Sequence, residues 1–286
     1  LPDALCESVR EYTDTAVISI SRFSGEGWDR DLKGHPMYEE GDFYLSHAER
    51  AMVEQVKKHF PKIVVVMNVG GMVDVGWIRE NPRIEGALLG WQAGMEGGLA
   101  MADILCGDVN PSGKLTDTFA KRLEDYPSTA GFHESEDYVD YTEDIYVGYR
   151  YFETIPGAAE KVVYPFGFGL SYTTFDIKTD SVTNDGKNIT VKATVKNTGD
   201  VAGKEVVQVY FCDMVSSLET PDKLLCDFEK VALKAGEEKT VSFSIPTERF
   251  EMVDRKLNRV LEPGDFRLYI CPNSDGWNGA DFKVVE

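Results

Sequence analysis

The run Ile63-Val64-Val65-Val66-Met67-Asn68-Val69 constrains the fold more than any other stretch of the chain. It is apolar at nearly every position, so neither of its faces can look at water. A strand of this kind belongs in a parallel sheet covered on both sides. Pro61 precedes it and Gly70-Gly71 follows, the punctuation expected at strand ends. A parallel neighbour needs a crossover, normally a helix, and the flanking sequence provides such helices. Residues 3–13 read as a helix with Leu5, Val9 and Tyr12 on one face, and a buried strand, Ala16-Val17-Ile18-Ser19-Ile20, follows. Ser46 and Glu49 have capping-box spacing, and Ala48, Met52, Val53 and Val56 line one face of the helix they open. Residues 84–91 read as the next strand. A helix then carries Leu99, Met101, Ala102, Ile104 and Leu105, its small residues predict close packing on the sheet, and Gly107 ends it. Helix and strand therefore alternate. Residues 1–171 are expected to form an α/β layered sandwich domain with a mostly parallel sheet. It opens on a helix rather than a strand, so an N-terminally incomplete domain is expected.

From Tyr172 the period changes. Residues 181–182, 189–195, 206–210, 240–245 and 266–270 alternate apolar and polar positions. Asn184-Asp185-Gly186, Asn197-Thr198-Gly199-Asp200, Lys234-Ala235-Gly236 and Glu262-Pro263-Gly264 supply the turns between them. Short strands at this spacing indicate an antiparallel β-sandwich over residues 172–286, immunoglobulin-like or fibronectin type III-like.

Composition narrows the function. A net charge of −19 argues against nucleic acid and anionic membranes as partners, because phosphate binding needs clustered Lys and Arg. The longest apolar run is one strand long, so no membrane span is expected, and no signal peptide is visible at the first residues. The five cysteines (Cys6, Cys106, Cys212, Cys226, Cys271) show no metal-ligand spacing and read as reduced, buried thiols of a cytoplasmic protein. A periplasmic or secreted setting stays open, as does a Cys212–Cys226 pair. Gly70-Gly71 invites a dinucleotide reading, but Asn68-Val69-Gly70-Gly71-Met72-Val73 does not give GxGxxG and there is no phosphate loop, so a tight strand-to-helix turn is preferred. The acidic, tyrosine-rich stretch from Glu134 to Phe152 lacks EF-hand spacing and reads as a solvated loop packed by its tyrosines. No metal or cofactor is expected.

One loop carries chemistry. After the first strand comes Ser21-Arg22-Phe23-Ser24-Gly25-Glu26-Gly27-Trp28-Asp29-Arg30. Glycines on both sides of Glu26 let the backbone turn sharply and lift one carboxylate clear of its neighbours. Sites in parallel sheets gather beyond the strand C-termini, where this loop is placed. A carboxylate there, beside an indole, suits acid/base chemistry on a sugar; a plain surface turn is the competing reading.

Four stretches together resemble the C-terminal half of a glycoside hydrolase family 3 enzyme of the β-glucosidase type. They are Ser24-Gly25-Glu26-Gly27-Trp28-Asp29-Arg30, Trp91-Gln92-Ala93-Gly94-Met95-Glu96-Gly97-Gly98, Gly107-Asp108-Val109-Asn110-Pro111-Ser112-Gly113-Lys114-Leu115, and Tyr146-Val147-Gly148-Tyr149-Arg150-Tyr151-Phe152 with Pro165-Phe166-Gly167-Phe168-Gly169-Leu170-Ser171-Tyr172. Lys196 to Tyr210 resembles the family's fibronectin-like domain. Each motif is weak alone; their joint order is specific.

The resemblance implies a retaining mechanism on β-linked oligosaccharides or glycosides, using two carboxyl groups. The nucleophilic Asp lies in the family's (β/α)₈ barrel, which this sequence does not contain. Glu26 matches the acid/base by motif, and Ser24, Trp28 and Arg30 in the same motif are the candidates for substrate contact. Desolvation by Trp28 and by closure against a barrel would suit a general acid. Arg30 is accordingly expected to pair with Asp29 or Asp42. The acid/base position varies in the family, so Glu39 and Glu40 remain runners-up. The barrel domain is the expected partner, a homodimer is compatible, and the isolated chain is expected to be inactive. A non-catalytic accessory or carbohydrate-binding module is the alternative.

Overall fold

A computed structural model of the protein describes residues 2–27, 29–31, 41–132 and 134–284. The chain divides into two compact units. One comprises Leu1–Asp108 and Phe119–Ala130, the other Val109–Thr118 and Gly131–Glu286.

The first unit is built on three parallel strands in the order β1-β2-β3: β1 (Thr15–Arg22), β2 (Lys62–Val69) and β3 (Ile84–Leu89). Ile18 lies opposite Val65, and Val65 opposite Ala87. Helices α1 (Asp3–Arg10), α2 (His47–His59), α3 (Gly76–Arg79) and α4 (Gly97–Cys106) alternate with the strands along the chain. The α/β layering read from the sequence is present. The central strand is covered as its composition demands: Ile63, Val65, Val66, Met67 and Val69 are all buried. Ser46 opens α2 with a full capping box, its hydroxyl accepting from the Glu49 amide at 3.3 Å while its own amide donates to Glu49 Oε2 at 2.8 Å.

Three expectations for this unit need correction. Helix α1 ends at Arg10 rather than residue 13, so Tyr12 lies beyond it; Leu5 and Val9 are exposed, and the helix instead buries Cys6. It is held to α2 at its polar end, where Asp3 meets Lys58 and His59 at 2.9 and 2.7 Å. The edge strand β1 is buried on one face only, since Ile18, Ile20 and Arg22 point inward while Val17 stays 60% exposed. In α4 close packing is confined to Gly97 and the Met101 side chain, and Leu99 and Leu105 are exposed.

The second unit is an antiparallel sandwich. Its strands are β4 (Phe175–Asn184), β5 (Asn188–Asn197), β6 (Gly203–Asp213), β7 (Leu224–Leu233), β8 (Glu238–Pro246), β9 (Gly264–Cys271) and β10 (Gly279–Val284). One sheet has the order β8-β5-β4, the other β10-β9-β6-β7. Val191, Val195, Val207, Val209, Phe243, Phe266 and Leu268 fill the space between them, each strand giving alternate residues to the core. Two of these strands, β7 and β10, were not expected. Leu224-Leu225-Cys226-Asp227 hides the alternation of the first, and the second starts on Gly279. Helix α5 (Tyr149–Thr154) belongs to this unit, with Tyr149 stacked on Phe166 at 4.8 Å. Tyr138 and Tyr141, expected to pack their loop, are exposed.

All five cysteines are free thiols, so Cys212 and Cys226 are not bonded to each other, and Cys106 is exposed rather than buried. Among the described residues no helix is long and apolar enough to cross a membrane.

Candidate active site

The C-terminal ends of β1, β2 and β3 feed three loops that meet. Arg22 ends β1 in phase with Ile18 and Ile20, so its side chain follows theirs into the interior and is 3% exposed. A buried guanidinium must find acceptors for its donors. Arg22 donates to both Glu49 oxygens at 2.7 and 2.6 Å, and to the carbonyls of Asp42 at 2.9 Å and Tyr44 at 3.1 Å. Burial alone would raise the Glu49 carboxyl. The Arg22 fork and the Ser46 amide outweigh burial and hold it below the usual glutamate range.

Beyond Arg22 the chain leaves the sheet and turns at Glu26-Gly27. Gly27 has φ +73°, a conformation that side-chain-bearing residues rarely adopt. Glu26 is exposed, and among the described residues no hydrogen bond or ion pair holds its carboxylate. The turn is fixed on both sides. Before it, the Ser24 carbonyl accepts from Gln92 Nε2 at 3.0 Å. After it, Arg30 donates through Nη1 to the Phe23 carbonyl at 3.1 Å and through Nε to the Met72 carbonyl at 3.1 Å. The same guanidinium is paired with Asp42, which is fully buried and also accepts from the Asp31 amide at 2.9 Å. The ion pair expected of Arg30 thus forms to Asp42. It draws the guanidinium inward and leaves Glu26 without a cationic partner among the described residues.

The glycine pair after β2 has its explanation here. A Cβ on Gly70 would come within 2.6 Å of Gln92 Nε2 and 2.7 Å of the Ser24 Cβ, so only glycine lets the three loops close on one another. Further along the same loop, Asp74 accepts from the Gly76 amide at 2.9 Å, and its own amide donates to the Phe43 carbonyl at 2.9 Å. Burial raises the Asp74 carboxyl above the usual range and Glu80 adds to this, against the Gly76 amide. Among the described residues no group of three or more His, Cys, Asp or Glu side chains is disposed to hold a metal ion.

The family model described as the glycosyl hydrolase family 3 C-terminal domain matches residues 5–172, and the fibronectin type III-like domain model matches residues 205–274. The chain belongs to glycosyl hydrolase family 3. Beta-glucosidase A of Butyrivibrio fibrisolvens is 47% identical to this family 3 chain over 94% of its length, which is 37% of the relative's. The exo-alpha-(1->6)-L-arabinopyranosidase of Bifidobacterium longum is 37% identical over 87% of the chain and 31% of its own length. Among solved structures, beta-glucosidase 3B of Thermotoga neapolitana in complex with glucose superposes with a TM-score of 0.90 at 37% identity, covering 100% of this chain and 40% of that one. The family 3 chain thus spans between 31% and 40% of these relatives. It is a β-glucosidase-like C-terminal portion, an α/β domain followed by a fibronectin-like sandwich.

Of the residues singled out from the sequence, Ser24, Glu26 and Arg30 share one loop at the sheet end. Trp28, Glu39 and Glu40 lie outside the described residues. Sequence reasoning missed Arg22, Asp74 and Gln92. A signal existed for Arg22, which continues the inward phase of an apolar strand at a position where a charge demands a partner. Gln92 lies in one of the quoted motifs, but nothing local marks its contact, which is 68 residues away in the chain.

Proposed function

We propose that this chain supplies the general acid/base of a retaining β-glycosidase that releases terminal β-linked sugars. Glu26 is that group, on an α/β domain of residues 1–171 followed by a fibronectin-like domain of residues 172–286. The nucleophilic aspartate lies in a (β/α)₈ barrel of the same enzyme. In the first step the aspartate attacks the anomeric carbon while the Glu26 carboxyl gives its proton to the departing glycosidic oxygen. In the second, the Glu26 carboxylate takes a proton from the water that cleaves the glycosyl–enzyme bond. The two carboxyl groups of a retaining pair stand about 5 Å apart, so Glu26 must project outward to reach a partner on another domain. The observation that carries the reading is this projection: an exposed carboxylate at the tip of a turn anchored on both sides. A β-glucoside is the substrate proposed, on the names of the relatives. The arabinopyranosidase among them shows that family membership alone leaves the sugar open.

The test is kinetic. In the full-length enzyme, Glu26→Ala should cut turnover of alkyl or phenyl β-glucosides by about a hundredfold to ten-thousandfold, the range general acid catalysis contributes. Formation of the glycosyl–enzyme from a dinitrophenyl glucoside, whose leaving group needs no proton, should be nearly unaffected. Equal losses on both classes would count against an acid role. The isolated chain, without the aspartate, is expected to show no turnover on either.

A further inference from the structure

The turn that presents Glu26 has glycines on both sides, which on their own would leave the carboxylate wandering. Proton transfer tolerates little of that, since a misplacement of about 1 Å can cost about a hundredfold in rate. Two side chains restrict it. Arg30, in the same loop, ties the returning strand of the turn to Met72 and Asp42. Gln92 ties the outgoing strand through the Ser24 carbonyl, two residues before Glu26, and it comes from a different loop.

Gln92 reaches that carbonyl by way of an unusual backbone. After β3 the chain passes Gly90, and Trp91 then adopts φ +50°, one of only three non-glycine residues with positive φ among those described. A left-handed residue with a side chain is strained and persists only where its surroundings hold it. Here the Trp91 ring packs near Phe119, with centroids 6.3 Å apart. The next residue is Gln92, whose amide passes so close over Gly70 that no side chain fits there. A strained tryptophan, a glycine that cannot be replaced and a glutamine donor converge on one carbonyl.

We propose that Gln92 is a positioning residue for Glu26. Its Nε2 donor fixes the Ser24 carbonyl and thereby the place from which the Glu26 carboxyl meets the glycosidic oxygen. The inference rests on the acid/base reading of Glu26 and deepens it by naming what holds the acid in register.

Gln92→Glu in the full-length enzyme tests it, because the glutamate keeps the size and removes the donor. Gln92→Lys, which restores an N–H donor on a side chain of similar reach, serves as the rescue. Glu26→Ala is assayed in parallel. For Gln92→Glu the expected result is a fall of about tenfold or more in kcat for a phenyl or alkyl β-glucoside, with KM little changed. A dinitrophenyl glucoside should keep its glycosylation rate within about twofold, the thermal midpoint should stay the same, and Gln92→Lys should recover part of the loss. Equal loss on the two substrate classes, or no loss on either, would overturn the inference. If Glu26→Ala discriminates by leaving group and Gln92→Glu does not, the positioning role fails alone. If Glu26→Ala does not discriminate, the acid/base reading fails and the inference falls with it.

Discussion

Arg22 and Glu49 show how one residue pair can brace a site without entering its chemistry. The Arg22 guanidinium is almost wholly buried at the end of β1, and it joins the start of α2 to the carbonyls of Asp42 and Tyr44. Removing Arg22 leaves the half-buried Glu49 carboxylate without its cation, held by the Ser46 amide. Arg22→Met should therefore lower stability by about 2–3 kcal/mol, less than for a fully buried pair. The pair also sets a pH dependence. Glu49 is held below the ordinary glutamate value of 4.5, so the folded state gives up that proton more readily than the unfolded chain. Its contribution is complete above about pH 4.5 and disappears as the pH falls below it. Urea midpoints at neutral pH and at about pH 3 check this: the gap between wild type and Arg22→Met should narrow on the acid side. A gap that stays constant would show that the lost stability is packing rather than charge. The exposed turn at Glu26 was legible from its flanking glycines, and Arg22 could have been read from its phase with Ile18 and Ile20. The Gln92 contact was not legible, because a single hydrogen bond across 68 residues leaves no periodic trace.

At the scale of elements, period and turn chemistry carried most of the fold. The central strand β2 was readable because burial on both faces removes polar residues from a strand altogether. The edge strand β1 was over-read: five apolar or small residues in a row do not reveal that one face has no cover in this chain. Helix α1 was over-read as well: it stops before Tyr12, and its Leu5 and Val9 are exposed while a polar contact at Asp3 holds it to α2. In the sandwich the sequence also concealed a buried lysine. Lys223 is 0% exposed just before β7, and its Nζ donates to the Ser274 carbonyl. It sits 3.4 Å from Glu153 Oε2 on α5 and 3.4 Å from the centroid of the Trp277 ring. Burial lowers the lysine and raises the glutamate, and each partly restores the other. Lys223→Met should cost about 3–5 kcal/mol, because Glu153 is then buried without its cation. Adding Glu153→Leu should return most of that loss. Denaturant titration of the single and double variants measures it, and a single-variant loss below about 0.5 kcal/mol would show that the lysine is not an integral tie.

At the scale of the molecule, the two units have different tasks. The sandwich is held by alternating apolar positions and an internal ion pair. The α/β unit carries a braced loop with an exposed carboxylate at its tip. Fold class and family were recoverable from the order of motifs, because glycines, turns and apolar runs each reflect a local requirement. What the rest of such an enzyme contributes was not readable, because this chain spans 37% of the Butyrivibrio relative and 40% of the Thermotoga structure. The central claim is that Glu26 gives and takes the proton in the two halves of a retaining reaction. Azide tests it most directly, since a small anionic nucleophile needs no general base. In the full-length Glu26→Ala enzyme turning over a dinitrophenyl β-glucoside, added azide should accelerate turnover and yield β-glucosyl azide, with the anomeric configuration retained. No acceleration, or an α-glucosyl azide product, would contradict the assignment, the latter by making Glu26 the nucleophile.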